Sequence, residues 1–420
     1  MASPQRSTRC WKRGSRPAGV GLVKAFMSRR ESTDRIRVLR IAHASLTPAL
    51  RERERALAAE CPDIDLQVVT TRQWHEAGVD VKVTGDDLFP VLPARSLLSR
   101  HIQLFAYDPL PLIAALRHHR PHLIDLNHEP YSVACAEVLA LRDWFAPKTP
   151  VIMQVAQNIM RSYPAPFNWL QKRALREVSA AYVCSESTKQ VLREKGFTNP
   201  ITLIPFGVNT QIFTEKPDDS PRPDVLTIGF VGRMLPGKGL NVLANALAQI
   251  ADAQWKLLLV GDGPGRGALA DALARNNLLA RAEFAGAVPY DRVAEFYRRM
   301  DFLAMPTRTT RTIREQFGRV LVEAMASGVP VIGTTCGAIP EVIADAGLIV
   351  PENNADALAN ALRRMLSDAA LRQRCAKLGR TRVEECYAWN IVARKTHQLL
   401  KHVLSGHVAP MVTRPAEVTA

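Results

Sequence analysis

The segment from Arg314 to Ile332 constrains the fold more than any other, because it contains a helix that must be buried on every side. Residues Val320 to Ala326 are apolar at every position except Glu323. A helix without a polar face lies inside a protein, and a carboxylate there is costly unless hydrogen-bond donors surround it. Gly318 is a suitable start for this helix, and the free N–H groups at such a start can bind an anion.

A second glutamate, Glu315, precedes Glu323 by eight positions. Eight helical residues span about 12 Å, which is comparable to the distance between the sugar and the ribose of a sugar nucleotide. The alternative is structural: Glu323 pairs with a lysine or arginine of the core, and Glu315 lies at the helix start without a ligand. For an isolated pair of glutamates this alternative is the stronger one.

A glycine-rich loop is a second candidate site upstream. Thr227 to Val231 has the pattern of a buried strand, and the run Gly232 to Gly239 separates it from a helical pattern over Leu240 to Ile250. Glycines let the backbone approach an anion, while the helix start and the side chains of Arg233 and Lys238 attract it. The spacing nearly matches a nucleoside-triphosphatase loop, but position 239 lacks the serine or threonine that would bind magnesium. A plain strand-to-helix turn with solvated cations is the structural alternative.

In combination these motifs resemble the retaining glycosyltransferases of family four (glycosyl transferases group 1), which have the GT-B fold. The resemblance rests on the E-x7-E pair within E-x-F-G and E-A-M-A-S-G-V-P-V-I, and on the G-R-x4-K-G run. It covers roughly Ile36 to Leu399 and is strongest over Gly229 to Val350. It implies that Glu315 contacts the donor hexose.

The resemblance also implies the other roles at the donor. Glu323 would hold the ribose hydroxyls, and Arg233 and Lys238 would grip the diphosphate. The further donor-binding residues that it implies are Gly232, Gly239, Gly261, Val288, Gln316, Phe317 and Gly318. His128 follows a strand pattern over Leu123 to Leu126 and resembles a family histidine that lies at the donor sugar; ligands of open α/β sheets bind at the carboxyl ends of strands.

Two departures from the family pattern concern the acceptor side and the hinge. After the first strand pattern, Ile36 to Ala42, the family has a glycine pair, whereas this chain has His43, Ala44 and Ser45. Phe206 and Asn209 replace the more usual Asn and Asp. A side chain in the loop after the first strand leaves less space for the donor and the acceptor to bind beside the backbone.

Strand patterns alternate with helical patterns in both halves, which predicts parallel sheets flanked by helices. The fold class expected is α/β: two Rossmann-like domains of the GT-B type that face each other across a cleft. The predicted parts are a basic, disordered tail (1–35), an N-terminal acceptor-side domain (36–210), a linker (211–224), a C-terminal nucleotide-sugar domain (225–388), a crossover helix (389–405) and a tail (406–420).

Composition favours a globular protein of a reducing compartment. The chain has 420 residues, 47% hydrophobic and 23% charged, which is enough for two cores. Its seven cysteines include no C-x2-C pair, so neither a zinc site nor a disulfide framework is expected. No apolar run reaches the about 18 residues that a membrane-spanning helix needs.

The positive charge is uneven. The first 35 residues contain nine Lys or Arg against two acidic residues, a net +7 of the total +15. Pro4, Pro17 and Lys24 argue against a signal peptide, and Met27 is an alternative start. The remaining +8 favours an anionic membrane over nucleic acid, because aromatic residues are only 6%. Segments Leu97 to His101 and Phe167 to Arg176 mix apolar and basic residues as peripheral membrane patches do.

The function expected is metal-independent, retaining transfer of a hexose from a nucleotide-diphosphate sugar to a glycan or lipid-linked acceptor, in cell-surface polysaccharide or glycolipid synthesis. The location expected is the cytoplasm, at the inner face of the membrane. No cofactor is expected: the one D-x-D sequence, Asp63 to Asp65, lies far from the donor motifs. Two other classes stay open, namely a sugar-nucleotide epimerase of the same fold, which needs no acceptor, and a non-catalytic binding relative, which shows no turnover.

Overall fold

Two parallel β-sheets with helices on both faces form the protein, which confirms the predicted α/β class. The computed structural model describes residues 35–76, 79–98, 101–216 and 225–406. The predicted basic tail up to residue 34, residues 217–224 of the predicted linker and the predicted tail from residue 407 lie outside the described residues.

The first lobe, residues 36–203, contains a seven-stranded sheet in the order β5-β2-β1-β8-β9-β10-β11. All its neighbouring strands are parallel. Two short antiparallel pairs, β3 with β4 and β6 with β7, lie outside this sheet. The strands are β1 (Ile36–Ala42), β2 (Ile64–Thr71), β3 (Gln73–Glu76), β4 (Val79–Lys82), β5 (Val91–Ala94), β6 (Ser96–Leu97), β7 (Ala106–Tyr107), β8 (Leu123–Asn127), β9 (Val151–Val155), β10 (Ala180–Val183) and β11 (Ile201–Leu203).

The second lobe, residues 226–387, contains a six-stranded parallel sheet in the order β14-β13-β12-β15-β16-β17. Counted from its own first strand, this is the 3-2-1-4-5-6 order of dinucleotide-binding folds. The strands are β12 (Leu226–Val231), β13 (Trp255–Val260), β14 (Ala282–Gly286), β15 (Phe302–Met305), β16 (Val331–Thr334) and β17 (Gly347–Val350).

Helices connect the strands, as parallel pairing requires. The α-helices of the first lobe are α1 (Glu52–Glu60), α2 (Pro109–Ala114), α3 (Val133–Phe145), α4 (Phe167–Glu177) and α5 (Glu186–Glu194). Those of the second lobe are α6 (Leu240–Gln249), α7 (Arg266–Arg275), α8 (Val293–Tyr297), α9 (Arg319–Ala326), α10 (Ile339–Ile343), α11 (Ala355–Ser367) and α12 (Ala369–Arg382), and the last helix is α13 (Trp389–Leu404). Within the described ranges, no helix is long and apolar enough to cross a membrane.

Each sheet reverses its strand order beside its first strand. In the first lobe β1 pairs with β2 on one side and β8 on the other, and in the second lobe β12 pairs with β13 and β15. Loops diverge at such a reversal, so a crevice opens at the carboxyl ends of the strands. His128 follows β8, the run Gly232–Gly239 follows β12, and Glu315 lies in the loop between β15 and α9.

Helix α13 packs on the first lobe, although it follows the second lobe in the chain. Its Val392, Leu399 and Leu400 are buried in one cluster with Val38 of β1 and Leu57 of α1. Burial of each such side chain stabilises the fold by about 1.5–3 kcal/mol. The chain therefore passes between the lobes twice, once after β11 and once before α13.

A buried polar network lies under α1 and α13. The guanidinium of Arg40 on β1 donates to Glu54 (3.0 Å), Asp125 (2.8 Å) and Gln154 (2.8 Å), and also contacts the Tyr182 hydroxyl. Burial by itself would lower the pKa of Arg40, but Asp125, Tyr182 and Glu54 raise it above its ordinary value. Arg40 is therefore held charged in the interior. Its side chain connects β1 to β8, β9 and β10 through Asp125, Gln154 and Tyr182.

The Arg40 network predicts a large stability loss on truncation. Arg40→Met leaves the buried Glu54 without its cation and Asp125 with only the longer Arg53 contact (3.7 Å), so we expect the free energy of unfolding to fall by about 3–5 kcal/mol. Urea denaturation followed by circular dichroism measures this. Arg35→Met, at an exposed residue next to β1, is the control and should change stability little. An Arg40→Met protein as stable as the control would contradict this account.

Candidate functional site

Two glycine-containing loops lie side by side at the reversal of the second sheet. The Gly232 N–H donates to the Val260 carbonyl (2.9 Å), which continues the sheet beyond β12. Gly261 has a φ of +121°, and a Cβ there would lie 2.1 Å from the Gly232 carbonyl oxygen. A side chain at position 261 would push the loops apart, so the glycine is needed for this close approach.

Two helices begin on glycines at the same edge of the second sheet. Gly239 (φ +70°) precedes α6, and Gly318 (φ +87°) precedes α9; neither helix start has a side-chain cap. A Cβ at Gly239 would lie 1.8 Å from the Pro306 carbonyl oxygen, so only glycine brings this loop onto the end of β15. The N–H groups of both first turns are left for an anion, which the helix dipoles favour.

One ion pair joins the two motifs that the sequence singled out. The Lys238 ammonium lies 2.7 Å from a carboxylate oxygen of Glu315, and both side chains are mostly buried. These residues are 77 positions apart. The structure therefore brings together the predicted diphosphate cation and the predicted sugar contact. Arg233, by contrast, is exposed and makes no ion pair with any residue that the structure describes.

The remaining predicted donor residues surround this pair in different ways. Gln316 is exposed, and its carbonyl accepts from the Cys184 thiol of the first lobe (3.4 Å). Phe317 is 3% exposed and packs edge-on against Phe206 and Tyr387, so its side chain belongs to the core. Val288 follows β14 and is half-buried, at the same edge of the sheet as Gly232 and Gly261.

Glu323 is buried in α9, as its apolar surroundings in the sequence predicted. One oxygen accepts from the Tyr297 hydroxyl (2.9 Å), and the other lies 3.9 Å from the Arg319 guanidinium. Burial raises the pKa of Glu323 to about 7, although Arg319 and Tyr297 lower it. The structural alternative, in which Glu323 pairs with a cation of the core, has little support. The distance between the Arg319 guanidinium and the Glu323 carboxylate is at the limit of an ion pair, and Arg319 is half-exposed.

The first lobe contacts the loop that carries Glu315. The buried amide of Asn158, in the loop after β9, donates to the carbonyls of Arg314 (3.2 Å) and Glu315 (3.0 Å). In the same region Arg161 donates to the Thr312 carbonyl (3.4 Å). The carboxyl ends of both sheets therefore face each other across these contacts, and Asn158 fixes the main chain of the Glu315 loop.

His128 lies in a buried aromatic cluster of the first lobe. Its Nε2 is 2.8 Å from the Tyr107 hydroxyl, and its ring stacks on His43 at 5.2 Å between centroids. Burial lowers the pKa of His128 well below its ordinary value, and His43 and Arg40 lower it further, so the imidazole is neutral. Among the described residues no hydrogen bond or ion pair connects it to Lys238 or Glu315.

His43 occupies the place of the family's glycine pair. Its carbonyl accepts from the hydroxyls of Thr70 (3.3 Å) and Thr71 (2.8 Å), and its ring fills the space between Trp74 and His128. The loop after β1 is therefore packed onto the first lobe.

No group of three or more His, Cys, Asp or Glu side chains is placed to hold a metal ion in the described ranges. The D-x-D sequence lies away from the site: Asp63 pairs with His397 (2.9 Å) and Lys401 (3.0 Å) of α13.

A depression of about 380 Å³ lies beside Thr227, Lys256 and Glu283, at the beginning of the second sheet's strands and at the opposite edge from the glycine loops. The uncapped helix starts and the Lys238–Glu315 ion pair are at the carboxyl edge, so we place the candidate site there.

Sequence patterns gave no role to several residues that build this site. Asn158 and Tyr297 reach Glu315 and Glu323 from distant parts of the chain, so no local spacing indicates them. Arg319 was detectable, because it precedes Glu323 by four residues in one helix, where side chains are neighbours.

Two family models match the chain. The model described as Glycosyl transferases group 1 matches residues 225–368, and the model described as Glycosyltransferase Family 4 matches residues 50–212. An uncharacterised glycosyltransferase of Methanocaldococcus jannaschii is 31% identical over 190 residues, which are 44% of this chain and 50% of that protein. The chain thus matches about half the length of this relative.

A second relative is matched over more of its length. The D-inositol 3-phosphate glycosyltransferase of Streptomyces bingchenggensis is 29% identical over 382 residues, covering 79% of this chain and 82% of that protein. Among solved structures, Anabaena HepE in complex with UDP has a TM-score of 0.66 at 18% identity, and covers 87% of this chain and 99% of its own. At that identity the likeness shows the fold.

The raised pKa of Glu323 predicts a pH-dependent stability. Above about pH 7 the folded protein must hold a buried carboxylate in its charged form, whereas the unfolded chain ionises near 4.5. Stability contributed by the protonated form is present at low pH and is lost as pH rises through 7. We expect the melting temperature of the wild type to fall from pH 5 to pH 8 relative to Glu323→Gln, with a free-energy difference of about 3 kcal/mol.

Glu194→Gln, at an exposed glutamate that ends α5, is the control for this comparison. Thermal unfolding at pH 5, 6, 7 and 8 measures all three proteins. Parallel curves for wild type and Glu323→Gln would show that Glu323 ionises normally and would contradict the prediction.

Proposed function

Because the chain belongs to the group 1, family 4 glycosyltransferases of GT-B fold, we propose that it moves a hexose, with retention, from a nucleotide-diphosphate sugar to a glycan or lipid-linked acceptor. The alternatives are an epimerase of the same fold and a binding protein without turnover. Transfer is favoured because a relative that the chain matches over 82% of its length is named as a glycosyltransferase.

The Lys238–Glu315 ion pair is the observation that carries this proposal. A diphosphate that binds the Lys238 ammonium competes with the Glu315 carboxylate for it. Displaced from the lysine, Glu315 becomes free to accept from the hydroxyls of the attached sugar. Binding of the donor thus prepares its own sugar contact, which a purely structural ion pair would not do.

The second lobe can stabilise the leaving diphosphate electrostatically. Lys238, the exposed Arg233 and the uncapped helix start at Gly318 all lie at the carboxyl edge of one sheet. Positive groups placed where negative charge develops lower the barrier without a metal ion. Glu323, when ionised, can accept from both ribose hydroxyls, because it lies five residues, roughly 7.5 Å, along α9 from the helix start at Gly318.

Peripheral contact with an anionic membrane is part of this proposal. Leu97, Leu98 and Leu110 of the first lobe are 61%, 65% and 70% exposed. On α4, Trp169 is 60% exposed and shares its face with the basic Lys172. Apolar side chains flanked by basic ones bind anionic lipid surfaces. Residues 99 and 100 of the predicted patch lie outside the described residues. We propose that the protein acts at the cytoplasmic face of a membrane that carries the acceptor.

The first test is transfer itself. Purified protein is screened by thermal shift with UDP-, GDP- and ADP-sugars, and the stabilising donor is then incubated with D-inositol 3-phosphate, phosphatidylinositol vesicles and glycan acceptors. A donor at 100 times its dissociation constant should stabilise the fold by about 2.7 kcal/mol. A new glycoside requires an acceptor. Isomerised donor without an acceptor would identify an epimerase, and binding without any product would identify a non-catalytic relative.

Metal independence gives a separate prediction. Because cations of the chain and a helix start neutralise the diphosphate, transfer should persist in excess EDTA. Rates with and without chelator, and with added manganese, measure this. Activity that EDTA abolishes and manganese restores would contradict the proposal.

Substitutions of Glu315 and Glu323 should have different effects on catalysis and on nucleotide binding. Glu315→Ala removes a contact to the transferring sugar, so kcat should fall with little change in affinity for the free nucleotide. Glu323→Ala removes ribose contacts that are equal in the ground and transition states, and nucleotide affinity should fall five- to a hundredfold, about 1–3 kcal/mol. Calorimetric titration and steady-state kinetics separate the two. Normal nucleotide affinity in a folded Glu323→Ala protein would place its carboxylate in the core alone.

A further inference from the structure

Two cations of the first lobe lie beside the contact between Asn158 and the Glu315 loop. Arg161 reaches the Thr312 carbonyl of that loop. Lys195, which follows α5, donates to the side-chain carbonyl of Gln157, the neighbour of Asn158. Arg311 and Arg314 belong to the same loop of the sequence as Thr312.

Arg161 and Lys195 make no close ion pair. In the parts of the chain that the structure describes, neither takes part in an ion pair within 4.0 Å, although Glu129 acts on Lys195 at longer range. Lys238 differs, because Glu315 neutralises it. Unpaired like charges repel one another, so the group is stabilised when an anion binds among them.

Lys195 is held on an aromatic surface. The rings of Tyr131 and Tyr163 stack at 4.0 Å between centroids, and the Lys195 ammonium lies 5.6 and 5.3 Å from the two centroids. Gln157 connects the parts, because its amide donates to the Tyr163 hydroxyl (2.8 Å). Burial lowers the pKa of Lys195 to about 8, and Arg161 contributes to this shift, although the Glu129 carboxylate opposes it. The ammonium is thus partly dehydrated and its position is fixed.

Glu129 supports this surface from below. One carboxylate oxygen accepts from the N–H groups of Ala156 (2.9 Å) and Gln157 (3.1 Å), which fixes the loop after β9. The other oxygen is buried and has no hydrogen-bond partner among the described residues.

The geometry points to an acceptor subsite in which Lys195 and Arg161 bind an anionic, phosphate-type group, with the stacked Tyr131 and Tyr163 beside it. The inference rests on the proposed function and adds to it the charge of the acceptor. The donor diphosphate is accounted for separately by Lys238, Arg233 and the start of α9. Lys195 and Arg161 therefore determine specificity for a phosphorylated acceptor, either soluble or presented as a lipid headgroup.

The test uses the full chain saturated with the nucleoside diphosphate that stabilises it. Inorganic phosphate is titrated into this complex and followed by calorimetry. Transfer is compared for D-inositol 3-phosphate, neutral myo-inositol, and phosphatidylinositol in phosphatidylcholine vesicles. Lys195→Met and Arg161→Gln should each weaken phosphate binding and raise KM for phosphorylated acceptors by about tenfold or more. The KM for the donor and for myo-inositol should not change.

Two variants make the test specific. Lys195→Arg keeps the charge and should retain most of the phosphate discrimination, whereas Lys377→Met removes an exposed lysine of α12, far from the proposed contacts, and should change nothing. A preference limited to the soluble phosphate or limited to the vesicles would identify the source of the group, and both support the subsite. Equal losses for neutral and phosphorylated acceptors, or a loss of donor affinity, would overturn the inference. Absence of nucleotide binding in the wild type would instead overturn the proposed function.

Discussion

Parallel pairing in both sheets is the constraint on which the site depends. Parallel strands need crossovers, so every loop that follows a strand is at the same edge of its sheet. Where the order reverses, between β1 and β8 and between β12 and β15, the loops diverge. The glycine loop, the Glu315 loop and His128 all lie at these two points. The contacts from Asn158 then set one carboxyl edge against the other.

Charge is distributed differently in the two parts of the cleft. Near the glycine loop the buried charged groups have partners, since Lys238 meets Glu315 and Glu323 meets Tyr297 and Arg319, whereas Arg233 is exposed and makes no ion pair with a described residue. Beside Asn158, Arg161 and Lys195 make no ion pair within 4.0 Å among the described residues. A ligand that displaces the internal partners must therefore compete with them, whereas a ligand of the second region gains neutralisation without competition. In the proposed function, the donor would therefore have to displace an existing ion pair, whereas the acceptor would neutralise unpaired cations of the same cleft.

A second bridge connects the lobes near the start of α13. Glu52, at the beginning of α1, accepts from the Trp389 indole (3.2 Å) and lies 3.5 Å from the Tyr290 hydroxyl of the second lobe. Burial raises the pKa of Glu52, while these hydrogen bonds lower it. A Cβ at Gly207 would lie 2.3 Å from the Trp389 ring, so the chain passage between the lobes requires a glycine there. Phe206 packs on Phe317, which fixes the same passage to the Glu315 loop.

The sequence by itself determined several mostly apolar strands and the helix around Glu323. Ile36–Ala42 has the predicted bounds, and β12 begins one residue before the predicted Thr227, because strands that are buried on both faces are mostly apolar. Gly239 and Gly318 were predicted at helix starts, and their positive φ values explain why glycine occupies these positions. Family motifs predicted the roles of Glu315 and Lys238, and the structure shows that the two side chains form an ion pair.

Only the tertiary structure decided which distant groups complete the site. Asn158, Tyr297 and Lys195 have no local pattern, because their partners lie far away in the chain and are chosen by how the lobes pack. Packing also assigned the Phe317 side chain to the core and enclosed His128 with Tyr107 and His43. A sequence records the chemistry that a residue can offer, whereas its solvent exposure and its neighbours are set by the folded chain, and these determine its charge and its access to a ligand.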